Sequence, residues 1–314
     1  MNIKDIYKIY SENYLVDTDT RKIRKNTLFF ALKGDNFNGN KFADKALELG
    51  AKYAIVDEKE YHLNDKTILV DNVLETLQKL ANYHRNELKT TIIGLTGSNG
   101  KTTTKELINA VLSKKYNTTA TIGNLNNHIG VPLTLLSMTP KTEFGIVEMG
   151  ANHQKEIQFL CAICEPNFGY ITNFGKAHLE GFGGIEGVIK GKSELYTYLE
   201  KNNNIVFINP DDKIQVEKSE NIKTIPFNTS LKFISSSPFV KLSFNSVTIE
   251  SNLIGKYNYS NIAIACTIGD YFKVSTEEIE EALQNYIPDN NRSQIIKKET
   301  NNIILDAYNA NPSS

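Results

Sequence analysis

Thr96-Gly97-Ser98-Asn99-Gly100-Lys101-Thr102-Thr103 decides how this chain is read. It follows an apolar, β-branched run, Thr91-Ile92-Ile93-Gly94-Leu95, and precedes a helical pattern from Thr104 to Leu112. A strand, a glycine loop and a helix start are the setting a phosphate-binding loop requires. Glycines let backbone N–H groups turn toward an anion, and the helix N-terminus adds partial positive charge. On this reading Gly97, Ser98, Asn99, Gly100 and Thr103 cradle a nucleotide's phosphates, Lys101 reaches the terminal ones, and the Thr102 hydroxyl ligates Mg²⁺. Leu95 stands where the common motif has its first glycine, so the loop is a shorter Gly-x-x-Gly-Lys-Thr form. ATP is the expected cofactor.

Working outward, 314 residues exceed one comfortable hydrophobic core, so two domains are expected. With 40% hydrophobic and 23% charged residues, the composition is that of an ordinary soluble globular protein. A net charge of −1 gives no electrostatic footprint for nucleic acid or an anionic membrane. Residues 1–8 mix charges early and lack a signal peptide's apolar core, and no run approaches the ~20 apolar residues that span a bilayer. A cytoplasmic monomer is expected. Three cysteines argue against a disulfide scaffold, and Cys161 and Cys164 lie in an apolar helical stretch that predicts buried free thiols.

The chain divides by pattern into residues 1–88 and 89–305. In the first unit, Thr27–Leu32 reads as a buried strand, Phe42–Gly50 as an amphipathic helix, Tyr53–Val56 and Ile68–Val70 as strands, and Val73–Leu88 as a helix. In the second, strands at Phe144–Met149, Phe168–Asn173 and Asn204–Asn209 alternate with helices such as Glu156–Cys164. That alternation predicts an α/β fold with a mostly parallel sheet covered on both faces. Residues 222–254 read as an added antiparallel β patch, followed by a helix from Asn258 to Phe272. Ile303–Asp306 reads as a last strand, after which the pattern stops without a completing helix.

Several motifs fall at the carboxyl ends of strands, where an open parallel sheet binds ligands. They are Asn124–Pro132, Val147–His153 with Glu148 placed as a second Mg²⁺ ligand, Asn173–Gly183, and Lys190–Glu194 on the next helix. Asn258 and Asn261 sit one helical turn apart, able to face the same base. Together these resemble the Mur ligases of peptidoglycan synthesis. Asn124–Pro132, Glu148–His153 and Ala177–Gly183 are similar to the branch that joins D-alanyl-D-alanine to UDP-N-acetylmuramoyl-tripeptide. Asp19-Thr20-Arg21 and Phe29–Gly34 carry the resemblance into the first unit.

The resemblance implies a UDP-muramoyl-peptide-binding domain at 1–88 and a P-loop-type ATPase domain at 89–305. Residues 306–314 would begin the link to a third domain that this sequence lacks, which leaves catalysis by these residues alone in question. It implies that the tripeptide carboxylate attacks the γ-phosphate of ATP, and that the amine of D-alanyl-D-alanine then displaces phosphate from the acyl phosphate. It gives catalytic roles to Lys101, His178 and Lys192, with a second Mg²⁺ near His178 and Lys192 carbamoylated into an anionic metal ligand. It places Asn258, Asn261, Arg292, Asp306 and Tyr308 on the nucleotide, and Thr20, Arg21, Asn38, Asn126, Asn127 and His128 on the UDP-muramoyl substrate. A sister ligase, a folylpolyglutamate-type relative, a non-catalytic UDP-sugar and nucleotide binder, and a regulatory P-loop NTPase are the alternatives. The Glu148–His153 and Asn124–Pro132 segments speak against the first two. The last gives no reason for the first unit or for Lys192.

Overall fold

A computed structural model describes residues 1–288, 292 and 294–305. Asp306 and Tyr308, both assigned to the nucleotide from sequence, lie outside the described residues.

The first unit is built on a four-stranded parallel sheet, Val16–Asp17, Leu28–Phe30, Tyr53–Val56 and Thr67–Leu69, in that spatial order. Its run at 28–30 is apolar throughout because both faces are covered. Leu28, Phe30 and Ile55 face the helices Ile3–Tyr10 and Val73–Leu88, while Phe29, Ala54 and Val56 pack with Ala43 and Ala46 of the helix Ala43–Glu48. The helix Val73–Leu88 starts at an Asn72 cap and ends at Lys89, whose φ of +56° is the left-handed conformation that closes helices.

The second unit holds a six-stranded, all-parallel sheet. Its spatial order is Lys223–Pro226, Ile205–Ile208, Phe168–Ile171, Thr91–Thr96, Phe144–Glu148 and Thr118–Ala120. Thr91–Thr96 lies inside it, with Phe144–Glu148 on one side and Phe168–Ile171 on the other. Chain order reverses at this strand, so the loops leaving these three strands open into one crevice. The phosphate-loop helix Lys101–Leu112 packs on the sheet beneath the helix Asn258–Tyr271, and one apolar cluster joins Leu107, Val111, Ile264 and Ile268 to Ile93 and Tyr170.

One sequence expectation needs correcting. The antiparallel patch begins at Lys232, not at 222: it comprises Lys232–Ser236, Phe239–Phe244 and Val247–Ile254. Lys223–Pro226 instead forms the parallel edge of the main sheet, with Thr224 and Ile225 opposite Val206 and Phe207. Its exposed, half-polar pattern is what any edge strand shows, so its partner is invisible from local sequence.

The units share a seam. Arg85 donates from Nε to the Cys164 carbonyl (3.1 Å) and from Nη2 to that of Glu165 (2.7 Å), while Asn82 donates to the Ile163 carbonyl (3.0 Å). These are the orphan carbonyls at the end of the helix Glu156–Cys164. Tyr10 and His84 bond the carbonyls of Leu136 (2.8 Å) and Met138 (3.0 Å) in the same way. Cys161 and Cys164 are buried free thiols whose pKa values burial pushes up, with both sulfurs against Met149. No helix among the described residues is long and apolar enough to cross a membrane.

Candidate active site

The phosphate loop has the backbone that its glycines alone permit. Gly97 has φ +142° and Gly100 φ +77°, and a Cβ on Gly97 would stand 2.0 Å from Thr172 Oγ1. The segment after Phe168–Ile171 clasps the loop. Thr172 Oγ1 donates to Asn99 O (2.5 Å), Asn173 Nδ2 donates to the same oxygen (3.0 Å), and Asn173 Oδ1 accepts from Asn99 N (3.1 Å). Ser98 N donates to Asn173 O (3.1 Å) and Ser98 Oγ to Gly175 O (2.8 Å). The Lys101 ammonium folds over the loop, donating to the carbonyls of Gly97 (2.8 Å) and Ser98 (3.2 Å). Burial lowers its pKa, Arg292 lowers it further, and Glu148 opposes them.

Beside it, Thr102 Oγ1 donates to Glu148 Oε2 (3.0 Å), and Asn126 Nδ2 donates to Glu148 Oε1 (2.8 Å). Glu148 ends a central strand and is 1% exposed. Across the crevice Lys192 is also buried, while Lys190, two positions before it on the same helix, is exposed. Lys192 Nζ donates to Ala151 O (3.1 Å) and lies 5.0 Å from the centre of the Phe182 ring. Burial, helped by the Lys101 charge, brings its pKa down to about 7 despite Glu156 and Glu194. His178, at φ +54°, has its pKa lowered by burial, then by Lys192 and Lys101.

A cavity of about 960 Å³ opens beside these groups. Ser98–Lys101, Glu148, His178, Asn258, Asn261 and Arg292 line it, as do Asn126, Asn127 and His128. Sequence reasoning missed Glu156 on the same wall. Its Oε2 accepts from Asn152 N (2.6 Å) and His153 N (3.0 Å); burial works upward on its pKa, but these bonds hold it down. Lys192 bonds the carbonyl, and Glu156 the N–H, of the same peptide unit, 151–152. The signal was an acidic residue in a helix's first turn, which is ordinarily read as a cap.

The first family comparison finds the Mur ligase middle domain at residues 95–269, and a second finds the Mur ligase family catalytic domain at 12–85. This chain belongs to the Mur ligase family. It is 37% identical to the UDP-N-acetylmuramoyl-tripeptide–D-alanyl-D-alanine ligase of Bacillus subtilis, covering 95% of this chain and 68% of that protein. Among solved structures, MurF from Acinetobacter baumannii matches with a TM-score of 0.82 at 30% identity, over 95% of this chain and 68% of the other. The Thermotoga maritima MurF ligase in complex with ADP matches with a TM-score of 0.80 at 30% identity, over 95% and 72%.

Within this Mur ligase the sequence-assigned residues separate into two groups. Ser98–Lys101, Thr103, Glu148 and His178 line the crevice, while Thr102 reaches it through Glu148 and Lys192 lies behind its wall, bonded to Ala151. Asn258 and Asn261 are buried in a chain of bonds: Thr104 Oγ1 donates to Asn261 Oδ1 (3.0 Å), Asn261 Nδ2 to Asn258 Oδ1 (2.8 Å), and Asn258 Nδ2 to Ile254 O (2.8 Å). Asn127 Oδ1 caps the N–H groups of Ile129 (3.1 Å) and Gly130 (2.9 Å), and His128 is exposed at the cavity rim. Thr20, Arg21 and Asn38 stand apart from the cavity lining. Arg21 grips Asp19 through Nε (2.9 Å) and Nη2 (2.6 Å), and this holds the Asp19 carboxyl at about 2. Asn38 bonds Glu58 Oε2 (2.9 Å) and caps Asn40 N (3.0 Å).

The residues suit Mg²⁺ and a nucleotide. Thr102 and Glu148 put two hard oxygen donors side by side.

Proposed function

We propose that this chain is an ATP-dependent, ADP-forming ligase that joins D-alanyl-D-alanine to UDP-N-acetylmuramoyl-tripeptide in cytoplasmic peptidoglycan precursor synthesis, acting as a monomer. The supporting observation is the convergence of the phosphate loop, Glu148 and His178 on one cavity, with Lys192 bonded to the lining residue Ala151 behind its wall, in a chain whose relatives carry that name over 95% of its length. The tripeptide carboxylate attacks the γ-phosphorus of ATP and ADP leaves; the dipeptide amine then attacks the acyl carbon, phosphate leaves, and the amine's proton passes to solvent.

Two anions must meet in the first step, so the site needs fixed cations and dipoles before it needs an acid or base. Bound Mg²⁺, held by Thr102 and Glu148, supplies charge neutralisation on the phosphates. Lys101 exchanges its loop carbonyls for phosphate oxygens, and the glycine loop turns its N–H groups to the same anion. Asn258 and Asn261 serve the nucleotide by bracing the loop: a Cβ on Gly100 would meet Asn261 Oδ1 at 2.8 Å. Lys192, buried beside Lys101, has a large neutral fraction near pH 7, and the neutral amine is the form that adds CO₂ to give a carbamate and release a proton. Thr20, Arg21 and Asn38 are the proposed UDP contacts, with Arg21 released from Asp19 at little cost because that pair is exposed.

Hydroxylamine trapping tests the reading. With Mg²⁺-ATP and UDP-N-acetylmuramoyl-tripeptide, the first step should yield a tripeptide hydroxamate, because hydroxylamine displaces phosphate from the acyl carbon. ADP release with no hydroxamate, or equal release without tripeptide, would contradict it.

A further inference from the structure

Lys105 is a buried cation with no part in the mechanism above. It lies one turn after Lys101 on the phosphate-loop helix and is 2% exposed. Its ammonium donates to the carbonyls of Thr121 (2.7 Å) and Gly123 (3.3 Å), with Glu106 Oε1 3.6 Å away. Burying an ammonium is unfavourable unless its donors are satisfied, and a Leu or Met there would fill the space without that penalty. What the lysine adds is a fixed position for the chain at 121–123.

The loop it holds runs to Asn126, and apolar burial does not anchor that loop: Ile122 is 72% and Leu125 40% exposed. Polar ties hold it instead. Thr121 N donates to Ile146 O (3.0 Å), and Thr121 Oγ1 accepts from Glu148 N (3.0 Å). Further along, Gly150 N donates to Asn126 O (2.8 Å), and a Cβ on Gly150 would meet Asn126 Oδ1 at 2.6 Å. Asn126 then reaches Glu148 Oε1 (2.8 Å) while Thr102 holds Oε2 (3.0 Å). Both carboxylate oxygens are therefore oriented from the phosphate-loop helix, one directly through Thr102 and one through Lys105 and the loop.

We infer that Lys105 is a positioning residue that, by fixing the 121–126 loop, makes Asn126 an orienting partner of the Glu148 carboxylate. The inference rests on the nucleotide-site reading above and deepens it. Partners that orient a metal ligand typically change metal affinity by about 10–100-fold when removed. The nucleotide phosphates are held by other groups, so their metal-free binding is unaffected by Lys105.

The test is ADP affinity measured with Mg²⁺ and again in EDTA, for the wild type, Lys105→Met, Asn126→Leu and the double variant. The wild type should bind ADP more tightly with Mg²⁺; if it shows no such gain, the nucleotide-site reading itself fails. Lys105→Met should cut the gain by about 10-fold, with ADP affinity in EDTA and thermal midpoint kept. Asn126→Leu should cut it similarly, and the double variant no further, because the two act in one relay. An undiminished gain in either single variant, or additive losses in the double, would overturn the inference. So would an equal fall of ADP affinity with and without Mg²⁺ in Lys105→Met. Should Lys105→Met not fold, Asn126→Leu, altering a loop beside the cavity, decides the outcome by itself.

Discussion

Arg21 and Lys101 are both cations that the family resemblance assigns to a nucleotide, UDP for Arg21 and ATP for Lys101, and they sit in opposite settings. Arg21 is exposed and paired with a carboxylate two residues away. Lys101 is packed over its own loop, and that loop is clasped by residues 172–175, more than seventy positions on. Other site residues show it less sharply: Asn38 bonds Asn40 beside it and Glu58 twenty positions on, while Glu148 is held from both the phosphate-loop helix and the 121–126 loop. A long-range clasp prepares a site before its ligand arrives, whereas a local ion pair must exchange partners when the ligand comes.

The largest effect that could break this comparison is at Lys101. Lys101→Ala should weaken ATP binding by about 100-fold while leaving UDP-muramoyl-tripeptide binding intact. Arg21→Ala should do the reverse, with a fall of about 5-fold in UDP-substrate affinity and none for ATP. Calorimetry on both variants checks this, and matching losses of both ligands in either variant would erase the distinction between the units.

Glycine substitutions give the next effect. Gly97→Ala meets Thr172 and a φ of +142°, and should cost about 2–4 kcal/mol in urea unfolding. Gly34→Ala in the first unit meets nothing within 4 Å and should leave the midpoint unchanged. Lys192→Met should raise the thermal midpoint, since it removes a polar amine from a buried site, while abolishing hydroxamate formation. Lys190→Ala, on an exposed position of the same helix, should do neither.

The smallest effect lies at the seam. Burial lowers the His84 pKa, and Tyr7, Tyr10 and Tyr14 surround the ring. Its neutral form is favoured in the folded state, so its contribution is complete above the unfolded value near ~6.5 and declines as pH falls below it. Unfolding measured between pH 7 and 5 should show a shallower loss for His84→Gln than for the wild type. Parallel curves would remove His84 from the account.

The phosphate loop, the parallel α/β layers and the family were legible because each depends on residues close together in sequence or on ordered motifs. Glycine spacing fixes a backbone path, and alternation of apolar runs fixes the layers. The partner of Lys223–Pro226 was not legible, because an edge strand has the same half-polar pattern whatever it pairs with. Lys192 reads as a surface lysine because nothing local shows that Phe182 and Ala151 will cover it. Glu156 and Lys105 read as an ordinary first-turn acid and an ordinary helical lysine, since their partners are carbonyls and N–H groups of other loops, which carry no sequence signature. Asn258 and Asn261 show the converse: their helical spacing is visible, but that they bond each other and Thr104 is not.

The most direct test of the central claim is calorimetric titration of the chain and of Lys101→Ala with UDP-N-acetylmuramoyl-tripeptide and with the corresponding dipeptide form. Tight binding of the tripeptide form, weaker binding of the dipeptide form, and the same preference in Lys101→Ala are expected. Equal binding of both forms, or loss of tripeptide binding together with ATP in Lys101→Ala, would contradict it.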